Sequence, residues 1–431
     1  MKNYKGIVTD IMAKHDMAPL ADGLVTLTDF NVTGVNLNSV VVGATGCGKT
    51  TSITEPRLLH TFNSSIVVPV AKSAVAGKYI PLFKKRGYRT YMVDFCDASR
   101  GNVGYDPMDY VKTTEDAIEL ARQLGGFDRE SKPNDRYWDQ SSESAIAAII
   151  LLVKLNAEYD HKKPEFKNVI KILKYMDYEQ VDENDYKLNI ADFFSEAEKK
   201  FPGNPASQLI KAVEVLPCRT APCMIGTIRA AVENFYSDII MDVVSKDEKI
   251  HLDELGDERS VFFIVTNPFN ETCSRMINIM YGQMFKSLFE KAEKNADGSL
   301  DIPIHVICDD FACSTKINGF ERYISIFRQA GISVSILLQS ESQLKALYGE
   351  HAGTTILNNM DTYIYMGSQD VSTVTSISKR MNLPFDKVMY MEQESVMISR
   401  RGCMPFIGKR YKTYEDPVYK MMMASRKEER P

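Results

Sequence analysis

Residues 43–50 read Gly-Ala-Thr-Gly-Cys-Gly-Lys-Thr, the full G-x-x-x-x-G-K-[ST] pattern, between the apolar run SVVV and the stretch TSITEPRLLH. A strand, a glycine loop and a helix in that order is the context in which this pattern cradles phosphate. The pattern predicts a strand in an open sheet, with its carboxyl end facing a ligand. Gly43, Gly46 and Gly48 permit positive φ angles and close approach to the backbone. Successive amides along Gly43, Ala44, Thr45, Gly46, Cys47, Gly48, Lys49, Thr50 and Thr51 then form an anion nest at a helix N-terminus. In this pattern Lys49 reaches the β- and γ-phosphates of ATP, and Thr50 offers its hydroxyl to Mg²⁺. Cys47 sits near a helix N-terminus, where a thiol gains reactivity; filling a small space is the simpler reading of it.

The rest of the chain fits that beginning. SSIVVPV (64–70) and YRTYMVDF (88–95) read as strands, with AVAGKYIPLFKKRG a helix between them. Nearly continuous apolar strands alternating with helices predict an α/β fold with a mostly parallel sheet flanked by helices. From about Tyr110 to Leu255 the period becomes helical, as in EDAIELARQLGGF and DQSSESAIAAIILLVKLNAEY. Strand signals resume at 260–268, 302–310, 332–340 and 361–369. The expected organisation is a discontinuous nucleotide-binding domain, 1–109 and 256–431, with an inserted all-α domain at 110–255.

Charge follows the same division. Residues 110–255 hold 27 acids and 19 bases, a net −8, so the remainder of a chain of net −5 carries +3. A uniformly basic nucleic-acid binder is excluded, although a local basic groove is not. From Lys379 onward there are 12 bases and 7 acids. Eight cysteines in 431 residues are too sparse for a disulfide scaffold, and Cys218 and Cys223 read as reduced thiols without a histidine cluster to complete a metal site. The longest nearly apolar run, AIAAIILLV, is about half of the ~20 residues a membrane-spanning helix needs. The N-terminus lacks an apolar signal core, so a cytoplasmic protein is expected.

A second acidic motif completes the phosphate chemistry. IHVICDDF (304–311) is an apolar strand ending in two carboxylates. Such a strand is expected beside the phosphate-loop strand, with Asp309 in the Mg²⁺ shell and Asp310 orienting or deprotonating the attacking water. Gln339 ends the next strand, where ligands of open α/β sheets bind. Arg328, on the preceding helix YISIFRQAG, is a candidate for stabilising transition-state charge across a subunit boundary; a solvated helix arginine fits the sequence equally well.

Together these pieces resemble the type IV secretion coupling proteins, the conjugative DNA-transfer ATPases of the VirD4/TraG group, which belong with the FtsK- and HerA-like hexameric pumps. The resemblance runs from about Asn38 to Gln369. It takes in the phosphate loop, YDPMDYV (105–111), RYWDQSSESAIAAI (136–149), YGQMFKSLFEKAE (281–293) and CDDFACSTKINGFERYISIFRQAGISVSILLQSESQLKALYG (308–349), and ILNNMDTYIYMGSQD (356–370) with a following SISKRM. It implies a P-loop NTPase fold of the RecA/FtsK kind. It implies Lys49 and Thr50 at phosphate and metal, Asp309 as the metal acid, and Asp310, Gln339 and Arg328 as catalytic positions. The implied cofactors are ATP and Mg²⁺. The implied partners are single-stranded DNA, a relaxase or accessory protein received by the helical insert, and components of the secretion channel. A homo-hexamer is implied, with a monomer in the absence of DNA as the alternative.

Three departures qualify the resemblance. Asp309-Asp310 replaces the usual Asp-Glu, which draws the second carboxylate back by one methylene. Val70-Ala71-Lys72 replaces the Asp-Pro-Lys phrase common after the second strand. No N-terminal membrane anchor is visible, which predicts a soluble member or one that reaches the membrane through a partner. The expected function is therefore an ATP-driven motor delivering relaxase-bound DNA to a secretion channel. The rivals are an ATP-binding substrate receptor with little turnover and a pump for double-stranded DNA. KKRGYR (84–89) is a candidate pore loop, with a solvated helix end as its simpler reading.

Overall fold

The structure, a computed structural model, describes residues 15–428 apart from 29, 34, 71–72, 128–132, 218, 267–269, 310 and 312–315. Two compact units divide the chain: residues to Met92, 251–268 and 284–431 form one, and residues 93–250 and 269–283 the other.

The first unit is built on a sheet of nine strands, the last two residues of β3 counting with the second unit: β1 (Ser39–Val42), β2 (Ser65–Val70), β3 (Arg89–Asp94), β4 (Ser260–Val265), β5 (Ile304–Cys308), β6 (Ile332–Leu338), β7 (Thr362–Tyr365), β8 (Ser395–Arg400) and β9 (Phe406–Lys409). Their order is β9-β8-β7-β1-β6-β5-β2-β4-β3. The pairs from β7 through β1, β6, β5 and β2 to β4 are parallel, whereas β8 and β9 join antiparallel. β1, β2, β4, β5, β6 and β7 are buried along their whole length. Strands covered on both faces need apolar side chains at every position, which is why they read as continuous Val, Ile, Leu and Phe rather than as alternation.

One expectation about order is overturned. The acidic strand β5 does not lie beside β1, because β6 stands between them. A buried polar cluster ties these three strands at one level. Ser39 and Ser335 hydroxyls meet at 2.6 Å across β1 and β6, and His305 of β5 bonds Ser333 of β6 at 2.6 Å. The buried Arg57 guanidinium bonds His305, Ser335 and Ser39 together. Burial lowers the Arg57 pKa to about 10, and burial followed by the Arg57 charge holds His305 well below its usual range, so its ring is neutral.

Arg57 belongs to the helix after the phosphate loop. That helix opens as a π-helical turn, Thr50–Thr54, and continues as α1 (Glu55–Leu59). Its Ile53, Leu58 and Leu59 pack with Val41, Ile66, Val68, Val261, Phe263, Ile307 and Leu337 from the sheet and with Ala76, Tyr79 and Phe83 of α2 (Ser73–Lys85). The candidate pore segment 84–89 closes α2. Arg86 there donates to the carbonyls of Leu59 and Thr61 at 2.7 and 2.8 Å and lies over the Phe62 ring.

The second unit is mainly helical. Its helix Pro133–Tyr159 buries the AIAAIILLV run as core, and helix Thr114–Gly125 starts with a reciprocal capping box between Thr113 and Asp116. The unit departs from the expected 110–255 insert at both ends, running from 93 to 250 with 269–283 added, and in its secondary structure. The unit begins at Val93, because Phe95, Val103, Tyr105 and Met108 are buried and the Asp106 carboxylate accepts from the amides of Met108 and Phe166. It also contains a small antiparallel sheet, Tyr178–Gln180, Asp185–Leu188 and Val215–Pro217, whose hairpin turns on Asp182 accepting the amides of Asn184 and Asp185. Among the described residues no helix is long and apolar enough to cross a membrane.

Candidate functional site

The phosphate loop is fastened to the sheet at its start. The Gly43 amide donates to the Leu338 carbonyl at 3.0 Å, and the Ala44 amide to Gly367 at 2.8 Å. Gly46 and Gly48 adopt φ of 76° and 85°, where a side chain would be strained. Gly43 is needed for a different reason: a Cβ there would come within 2.6 Å of Cys47 Sγ. The Lys49 side chain is buried, 7% exposed, with its ammonium on the carbonyls of Gly43 and Ala44 at 2.8 and 3.4 Å.

Thr50 Oγ1 donates to Asp309 Oδ2 at 2.7 Å. Two hard oxygens from separate elements, beside a buried ammonium and a glycine nest, are donors that would hold Mg²⁺ and a nucleotide's phosphates. Gln339 follows β6 directly, at the carboxyl edge between the phosphate loop and Asp309; the Gln343 amide group approaches its Oε1 at 3.4 Å. Ser340 caps the helix that follows, accepting from the Gln343 backbone amide.

Arg328 is placed elsewhere. Helix Phe320–Ile326 ends before it, so Arg328 lies in the exposed turn leading into β6 rather than on the helix. That turn is at the amino end of β6. Seven strand residues at ~3.3 Å each put it roughly 23 Å from the carboxyl edge that carries the loop. Asp310, with Ala71 and Lys72 of the altered second-strand phrase, lies outside the described residues, as does Cys218. Cys223 is exposed.

The sequence reading missed the segment after β9. Arg410 donates through all three side-chain nitrogens: to Cys47 O in the phosphate loop, to Met366 O at 2.8 Å and to Ser395 O at 3.1 Å. Thr413 Oγ1 donates to Thr51 O. Asp416, buried, receives His60 Nε2 at 2.6 Å and the Tyr411 hydroxyl at 2.5 Å. Burial alone would raise the Asp416 pKa, but the hydrogen bonds from His60 and Tyr411 and the His60 charge outweigh it and hold the carboxyl at about 2. Residues 410–416 therefore form a strap bonded to the loop and to the start of its helix. The basic excess after Lys379 was its one visible sign.

A model of the family described as type IV secretory system conjugative DNA transfer matches residues 1–382. The chain belongs to that family. Solved structures similar to this conjugative DNA-transfer protein include the plasmid coupling protein TrwB with the non-hydrolysable ATP analogue ADPNP. That match is 14% identical, covers 88% of this chain and 87% of that one, and has a TM-score of 0.60. TrwB with ADP and Mg²⁺ is likewise 14% identical, covering 87% and 85%, at a TM-score of 0.60. VirB4 of Thermoanaerobacter pseudethanolicus is 12% identical, covering 94% and 98%, at 0.55. These likenesses establish the fold, a P-loop NTPase sheet flanked by helices. No curated protein matches the chain in sequence.

Proposed function

We propose that the chain is an ATP-driven coupling protein that moves DNA toward a type IV secretion channel. The observation that carries this reading is the contact of Thr50 with Asp309, inside a chain of the conjugative DNA-transfer family. The likeness to TrwB, whose structures include ADPNP and ADP with Mg²⁺ complexes, supports the same ligands here. Lys49 and the loop amides would hold the phosphates, and Thr50 and Asp309 the metal. Bound Mg²⁺ supplies neutralisation of phosphate charge. Asp310 is assigned to orient the attacking water and Gln339 to sense the γ-phosphate end of the site. Arg328 lies at the far edge of its own sheet, which supports a role in a neighbouring subunit's site, and the family resemblance supports a hexameric ring as the working form. The acidic helical unit is assigned to receive a basic relaxase carrying single-stranded DNA.

The test is ATP hydrolysis with and without single-stranded DNA at protein concentrations that permit assembly. DNA-stimulated turnover that Lys49→Ala abolishes is expected. ATP binding without turnover under those conditions favours a receptor, the second reading, which the shorter Asp310 side chain supports.

A further inference from the structure

At the amino edge of the sheet β7 starts beside β1, Thr362 opposite Ser39, and the antiparallel β8 ends there, Arg400 opposite Thr362. The phosphate loop leaves the other edge, where the Ala44 amide bonds the Gly367 carbonyl. The four residues of β7, at ~3.3 Å each, put roughly 13 Å between the two edges. A cavity of about 240 Å³ opens at the amino edge, and Asn358, Asp361, Arg380, Ser399, Arg400 and Arg401 are among its walls. Three arginines against one aspartate make it strongly cationic.

Each guanidinium is placed by one contact that leaves donors unused. The Arg380 Cζ lies 4.6 Å from the centre of the Tyr363 ring. That ring is buried, and its hydroxyl donates to Glu341 at 2.7 Å. Stacking occupies the face of a guanidinium and leaves the N–H donors at its rim. Arg380 does not cap its own helix, Val371–Met381, whose Ser378 and Lys379 carbonyls accept from the Leu383 and Asn382 amides. Arg400 uses one nitrogen on Thr26 Oγ1 at 2.8 Å, and Arg401 one on Asp361 Oδ1 at 2.9 Å. The Asn36 side chain donates to the same Asp361 oxygen at 3.3 Å, so the acid is already compensated.

Size and chemistry together select the ligand. The volume falls below the roughly 300–1,000 Å³ of small-molecule sites, which suits a single oxyanion and not a whole nucleotide. A guanidinium fork matches the paired oxygens of phosphate, and several such donors converge here. We propose that this pocket is a second phosphate site, taking one phosphate group at the edge of the sheet away from the phosphate loop. Two sources share that chemistry, a link in the backbone of single-stranded DNA and a free phosphate ion. Neither involves reading a base. The DNA source rests on the DNA-moving function above; the phosphate chemistry does not.

The experiment has two arms on the full chain. Fluorescein-labelled oligothymidylate is titrated without nucleotide at several salt concentrations and followed by anisotropy. Inorganic phosphate is followed by the width of its ³¹P resonance, in chain carrying Lys49→Ala so that the phosphate loop does not hold the ion. A backbone phosphate in the pocket predicts that Arg380→Gln and Arg401→Gln each lower the salt slope by about one and weaken oligothymidylate and oligoadenylate alike. Arg380→Lys keeps the charge and should return the slope. Lys387→Gln removes an exposed charge outside the pocket and should leave the slope at the wild-type value. A free phosphate instead predicts line broadening that Arg380→Gln and Arg401→Gln abolish while oligothymidylate binding stays unchanged. If neither substitution moves the salt slope or the line width, or if Lys387→Gln lowers the slope equally, the pocket assignment is overturned and the DNA-moving function stands. Wild type that binds no oligothymidylate at any salt counts against that function alone, and the phosphate arm then decides the pocket.

Discussion

Thr50 Oγ1 lies 2.7 Å from Asp309 Oδ2 although 259 positions separate them in the chain. The contact joins the first turn of the helix after the phosphate loop to the end of β5, across the intervening strand β6. If it is a metal-binding pair, Thr50→Val and Asp309→Asn should each remove most of the Mg²⁺ dependence of ATP affinity. Titrating ATP with and without Mg²⁺ checks this. Affinity that still rises with Mg²⁺ in both variants would place the metal elsewhere.

Asp310 is assigned a different role. Asp310→Asn should leave ATP and Mg²⁺ bound and cut turnover by ~10²–10⁴-fold, the usual share of a positioned general base. Asp310→Glu should raise turnover if the shorter carboxylate falls outside the ~2.6–3.2 Å reach to a water. Steady-state rates for the two variants beside wild type decide it.

The reach of the sequence differed across the site. The loop 43–50 and the acid pair at 309–310 stand in short contiguous patterns, so their chemistry could be read directly. The strand order could not, because β6 pairs with β1 through residues about 300 positions apart, as Ser39 with Ser335. The strap was hidden for the same reason. Arg410 reaches Cys47, 363 positions away, and Asp416 reaches His60, 356 away; neither contact leaves a local period. Arg328 read as helical because YISIF has helical spacing, but the helix stops at Ile326 and the chain turns at Gly331, whose φ is 75°.

The buried Arg57 cluster predicts a stability effect. Arg57→Ala would leave His305, Ser39 and Ser335 short of a partner inside the sheet. A loss of about 2–4 kcal/mol is expected from unsatisfied buried polar groups, read as a lower urea midpoint at unchanged slope. A change under about 0.5 kcal/mol would show that the three side chains satisfy one another without it.

The helical unit should carry its own pH dependence. Burial raises the Asp106 pKa, and the Met108 amide and Lys249 only partly offset it, leaving the carboxyl at about 6 against an ordinary 3.8. A folded pKa above the unfolded one means the folded state holds the extra proton. The contribution is therefore full below about pH 3.8 and is lost as pH rises through 6. It amounts to roughly 3 kcal/mol. Asp106→Asn should flatten stability between pH 4 and 7 as followed by circular dichroism; an unchanged slope would contradict the assignment.

Asp416 predicts the opposite sign in the strap. Its carboxyl is held at about 2, below the unfolded value. Its contribution is present above about pH 3.8 and is lost as pH falls toward 2. Asp416→Asn should remove that acid-side loss from wild-type unfolding curves and lower stability near neutrality.

DNA-stimulated ATP hydrolysis by the full chain, wild type against Lys49→Ala with Mg²⁺ present, tests the motor function at its root. Turnover that single-stranded DNA increases, and that the substitution abolishes together with ATP binding, is expected. Wild type that binds no ATP, or a Lys49→Ala protein that binds and hydrolyses it as well as wild type, would mean that the phosphate loop does not drive a motor.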